Sequence, residues 1–93
     1  MPDARAFSFD RVAVVGGVKT PVTPPHTSCA VNLINETLGD LQVHSTDSDN
    51  THYVVISAGY ERPFTPQRFT FRHDEVAFWL TAAVSGTVVM IWG

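Results

Sequence analysis

The sequence predicts an all-β fold, a small antiparallel β-sandwich or barrel of about six or seven strands with an extended N-terminal arm. Three observations predict it. No window sustains a helical period, and short apolar runs rich in Val, Ile, Thr and Phe alternate with clusters of Gly, Pro, Asn and Asp. The closing segment from Glu75 to Trp92 reads as two strands joined at Ser85-Gly86, with apolar residues on both faces.

Residues 1–27 form the expected arm and linker. Phe7–Val15 suits one strand. Gly16-Gly17 supplies a bend, and Pro21, Pro24 and Pro25 exclude helix and central strand, because proline lacks the N–H and fixes φ. The plain expectation for that stretch is a stiff extended connector.

Residues 28–93 form the expected body. Val31 and Leu33 alternate with Asn32, a Gly-bearing turn spans residues 36–40, and Leu41 and Val43 alternate with Gln42 and His44; the pair reads as a hairpin. A polar loop at residues 45–51 precedes a β-branched run from His52 to Ala58. A turn at Gly59 and a segment with Pro63 and Pro66 follow. Residues 67–72 then place Phe69 and Phe71 inward and Arg68, Thr70 and Arg72 outward. In the closing hairpin, a two-residue loop sets Leu80 opposite Ile91 and Trp79 opposite Trp92.

A half-solvated sheet should alternate apolar with polar residues. The closing hairpin does not, so its second face needs a cover. In a chain of 93 residues, another chain is the expected cover. Contact residues are expected on the arm at Phe7, Phe9, Val12 and Val14, and on the hairpin at Trp79, Met90 and Trp92. The charged fraction, 16% against roughly 25% in typical soluble domains, suits a protein that hides much of its exterior.

Other function classes find little here. Net charge is −3 without a basic run, so no nucleic-acid footprint is expected. The N-terminus lacks the pattern of a signal peptide. A membrane anchor at 76–92 would meet Thr81, Ser85, Gly86 and Thr87 at its centre, so no membrane partner is expected. Cys29 stands alone and reads as a small buried hydrophobe. His44 and His52 flank the polar loop but lack further ligands for zinc, and Asp47, Asp49 and Asn50 lack the rest of a calcium loop. No Gly-x-Ser-x-Gly elbow or phosphate loop is present. No cofactor and no enzymatic activity are expected. Tyr53, Tyr60, Phe64, Trp79 and Trp92 leave one alternative, a sugar-stacking surface. A second alternative is the membrane-anchored protein, which requires helix at 76–92.

The order Val-Asn-Leu-Ile-Asn, a glycine turn, Leu-x-Val, Tyr-Val-Val-Ile-Ser-Ala-Gly, Arg-Phe-Thr-Phe and a closing Ser-Gly-Thr-Val-x-x-x-Trp resembles the small all-β structural proteins of tailed-bacteriophage virions. The resemblance covers residues 28–93. It implies a capsid decoration or cement protein, or a neck or tail accessory, located in the virion. Its partners would be further copies of itself or other virion proteins. It implies no catalytic residues.

Overall fold

A computed structural model describes residues 8–46, 48, 51, 53–66 and 70–93. Among them are eight strands: β1 (Ser8–Val14), β2 (Lys19–Val22), β3 (Val31–Asn35), β4 (Leu41–His44), β5 (Tyr53–Ile56), β6 (Glu61–Phe64), β7 (Phe78–Ala82) and β8 (Gly86–Trp92). They form two four-stranded sheets, ordered β1-β8-β3-β6 and β2-β7-β4-β5, with every pairing antiparallel. The all-β sandwich class is as the sequence predicts. The strand order is that of a jelly roll, two interleaved Greek keys in facing sheets.

The arm is not an arm. Residues 8–22 belong to the sandwich, β1 closing one sheet against β8 and β2 closing the other against β7. Gly16-Gly17 reverses the chain instead of extending it. The Val18 N–H donates to the Val15 carbonyl at 3.0 Å, and Gly17 takes φ 78°, as the third position of this turn requires. Pro21 is tolerated because β2 is an edge strand, where a missing N–H breaks no ladder bond, and Pro63 sits on edge strand β6 for the same reason. The expected boundary at residues 27 and 28 therefore does not divide the fold.

Both expected hairpins are corrected as well. β7 pairs β2 and β4, whereas β8 pairs β1 and β3, so the Ser85-Gly86 connection arches between sheets. Likewise β3 and β4 lie in different sheets, joined across residues 36–40. Runs that are apolar on both faces look like paired neighbours in a sequence, yet each here faces its successor across the core. Gly86 makes the arch possible, because a Cβ there would lie 2.9 Å from Thr37 Cγ2 and 3.0 Å from Thr37 Cα.

The core lies between the sheets. Val14, Val31, Leu33, Val88, Met90 and Trp92 from one sheet meet Val22, Leu41, Val43, Ile56, Phe78, Leu80 and Ala82 from the other. Trp92, fully buried, stacks on Phe78 with centroids 6.0 Å apart and planes at 17°, and stands edge-on to Phe71 at 5.8 Å. Of the strand expected at 67–72, residues 67–69 lie outside the described residues, and Phe71 forms an isolated bridge with Ser28.

Candidate interaction surfaces

The expected contact residues divide between core and surface. Val14, Met90 and Trp92 point into the chain's own core, and Val12 packs half-buried against it. They are corrected as contacts, because the even-numbered positions of β1 and β8 face inward. Phe9 stands on the outer face, 67% exposed, and Trp79 is half-buried on the outer face of the other sheet. Phe7 lies outside the described residues.

No catalytic constellation assembles among the described residues. No three His, Cys, Asp or Glu side chains stand together as metal ligands there. Asp47, Asp49, Asn50 and His52 lie outside the described residues, and His44 instead lies 5.5 Å from the Tyr53 ring. Cys29 is exposed, not buried as expected, because its backbone N–H is drawn to the Gly93 carbonyl at the sheet margin. The nearest approach to catalytic geometry is Ser8 Oγ at 2.8 Å from His26 Nε2, with His26 Nδ1 3.0 Å from the Thr27 carbonyl. Ser28 Oγ also lies 3.1 Å from Nδ1, so the ring links Ser8 to Thr27 and Ser28. Ser8 is nevertheless buried at the start of β1, opposite Trp92, and the pair ties β1 to the β2–β3 connection.

Between the sheets, at the open β5–β6 side, lies a cleft of about 680 Å³ with Val43, Val54, Phe64, Phe71 and Phe78 among its walls and Arg72 and Glu75 at its rim. Its walls are mixed, with His44, Ser45, Tyr53 and Thr65 standing among the apolar side chains. Of the groups at its margin, Arg72 is engaged with Asp74 and Glu75.

Three surfaces remain, and the topology builds each. The first is one end of the sandwich. A jelly roll places the β1–β2, β3–β4, β5–β6 and β7–β8 connections together at one end. Here they carry Val15 and Val18, Leu38, Tyr60, and Val84, all exposed, with Leu38 92% so. Contacts between the loops hold them in place: the Gly16 N–H donates to Ser85 Oγ at 3.0 Å, and the Ala83 N–H donates to the Asp40 carbonyl at 2.9 Å. Tight turns bring these tips level. In the β5–β6 turn the Tyr60 N–H donates to the Ser57 carbonyl at 3.0 Å, with Gly59 at φ 81°.

The second surface is the outer face of β1-β8-β3-β6. The register sets Phe9, Ile91, Asn32 and Pro63 side by side in one row and Arg11, Val89, Ile34 and Glu61 in the next. Arg11 donates to Glu36 at 2.9 Å, and the Asn32 amide donates to Glu61 at 3.1 Å. The third is the outer face of the other sheet, where Pro21, Trp79, His44 and Tyr53 form a row beside Lys19, Thr81, Gln42 and Val55.

Sequence reasoning missed the apolar end. The signal was present, since three of the four turns set a large apolar residue beside a glycine, Val15-Gly16-Gly17-Val18, Leu38-Gly39 and Gly59-Tyr60, and the fourth sets Val84 two residues before Gly86. Only the strand order reveals that the four turns share one end.

Compared with protein-family models, curated proteins and solved structures, the chain shows no match in any of the three.

Proposed function

We propose that the chain is a non-enzymatic structural component of a tailed-phage virion, a capsid decoration or head–tail accessory protein, that docks end-on through its loop tips. The observation that carries this reading is the apolar end, with Val15, Val18, Leu38, Tyr60 and Val84 exposed together. Exposed apolar side chains gathered at one end of a fold suit an interaction site. Glu36 and Asp40 lie in the same group of loops, so an anionic lipid surface is disfavoured and a protein surface is the better fit. Jelly rolls serve in viral capsid domains, an analogy at the level of fold. The low charged fraction agrees with extensive contact.

Mass spectrometry of purified particles tests this reading, with the chain expected in multiple copies per virion. Leu38→Asp, at a fully solvated tip, should leave the fold intact and remove the chain from particles. Absence of the wild-type chain from particles, or undiminished incorporation of Leu38→Asp, overturns it.

One observation favours a second reading, a carbohydrate-binding sandwich. Trp79 and Tyr53 flank the buried His44 in one row of that sheet, beside the amide of Gln42 and the amine of Lys19. Aromatic faces suit the apolar side of a pyranose, with polar neighbours fixing its orientation. A glycan array binding wild type but not Trp79→Ala would favour this reading; no binding removes it.

A further inference from the structure

We infer that two copies of this chain pair face to face through the outer surface of the β1-β8-β3-β6 sheet, about a two-fold axis running along the strands between β8 and β3. The inference rests on the reading that the chain works through subunit contacts, and it names one of them.

β8 motivates it. Its inward side chains are Val88, Met90 and Trp92, and its outward ones include Val89 and Ile91. A face left to water alternates apolar with polar residues. This one is apolar at its centre, where half-buried Ile34 of β3 adjoins Val89, itself only 7% exposed, and half-buried Ile91 and exposed Phe9 continue the surface.

The charges select the occupant. The row Arg11-Val89-Ile34-Glu61 ends in a cation on edge strand β1 and an anion on edge strand β6. A two-fold axis parallel to the strands, midway across the sheet, lays β1 of one copy over β6 of the other and keeps each row on itself. Arg11 then faces the partner's Glu61, twice by symmetry, and Val89 meets the partner's Ile34. An axis across the strands along this row would instead set Arg11 on Arg11 and Glu61 on Glu61. The surface is thus self-complementary for one axis and repulsive for the other, as a closed isologous dimer requires. Sheets aligned within about 30° pack in this way.

Arg11 already meets Glu36 within its chain. A guanidinium carries five donors, which leaves capacity for a second carboxylate. Four strands at about 4.8 Å spacing give a face roughly 19 Å wide, at the small end of specific interfaces. A dissociation constant of about 10–100 μM is expected.

Sedimentation velocity up to roughly 1 mM, above this range, tests the inference, with circular dichroism to confirm folding of each variant. Arg11→Glu and Glu61→Arg, both at exposed edge positions, should each dimerise about tenfold more weakly, because each sets like charges face to face. An equimolar mixture of the two should recover wild-type association, since every new acid then faces a new base. A wild-type monomer throughout the range, or a mixture no stronger than its components, overturns the inference. Either result leaves end-on docking standing, because that reading falls only by the particle measurements on wild type and Leu38→Asp.

Discussion

Asn35 Oδ1 accepts two bonds from Thr37, one from its backbone N–H at 3.0 Å and one from its hydroxyl at 2.6 Å. The other half of the same amide donates to the Gly39 and Ile56 carbonyls, each at 2.8 Å. Asn35 is fully buried, so one side chain ties the β3–β4 connection to the end of β5 in the opposite sheet. Asn35→Asp keeps the acceptors but turns a carboxylate toward two carbonyl oxygens. A loss of about 2–4 kcal/mol at neutral pH is expected. The buried acid's folded pKa will be raised, so the protonated form is the one the fold accepts. Stability relative to wild type should therefore be greatest below the unfolded carboxylate pKa and fall as pH rises through the folded one. Urea denaturation across that range checks it.

The two tryptophans should separate cleanly. Trp92 is enclosed by Phe71 and Phe78, so Trp92→Ala is expected to cost about 3–5 kcal/mol in a monomeric unfolding measurement. Trp79 lies half-buried on an outer face, and Trp79→Ala should cost roughly half as much or less. Equal losses would place both indoles in one environment, contrary to the structure.

The same pair shows how far the sequence could be read. Alternation predicted the all-β class and most strands of the body, because inward positions such as Val31, Leu33, Leu41 and Val43 repeat at period two. It also flagged the double apolar character of the closing segment, and Val89 and Ile91 do occupy an outer face. Pairing was not legible. A strand apolar on its inner face carries no mark of which neighbour it bonds, and a short glycine turn serves a hairpin and an inter-sheet arch equally. β2 and β6 were hidden by Pro21 and Pro63, which argue against central strands but fit edges. The apolar end was illegible for the same reason, since its five side chains come from four separate turns that share one end only through the jelly-roll order.

Gly86→Ala tests that arch directly. The new Cβ would meet Thr37 Cα, Cβ and Cγ2 at 2.9–3.0 Å, and backbone must shift to admit it. A loss of about 1–3 kcal/mol is expected by thermal or urea unfolding. Gly17→Ala meets no neighbour within 4 Å and is costly for a different reason, its φ of 78°, at about 1–2 kcal/mol.

Arg72 holds Asp74 by two bonds, Nε to Oδ1 at 3.2 Å and a terminal nitrogen to Oδ2 at 3.1 Å. Chiefly through these bonds, the Asp74 carboxyl is held below the ordinary carboxylate value. The pair's contribution is present above the unfolded carboxylate pKa and is lost as pH falls through the folded one. Both side chains are well exposed, so the readout is a titration and not a stability change. An NMR titration should find Asp74 below the ordinary value in wild type and raised toward it in Arg72→Gln.

The two ends of the sandwich predict opposite tolerance to added mass. Ser8 and Gly93 lie at the end that carries the β2–β3, β4–β5 and β6–β7 connections, and the Gly93 N–H bonds the Ala30 carbonyl there at 2.8 Å. The apolar tips lie at the other end. A small folded label joined after Gly93 should leave incorporation into particles unchanged, whereas a few polar residues inserted between Leu38 and Gly39 should abolish it without unfolding the chain. Quantitative mass spectrometry of particles from cells carrying each variant reads both arms. Loss with the terminal label and normal incorporation of the loop insertion would reverse the assigned orientation and place the docking surface at the end that holds His26 and Cys29.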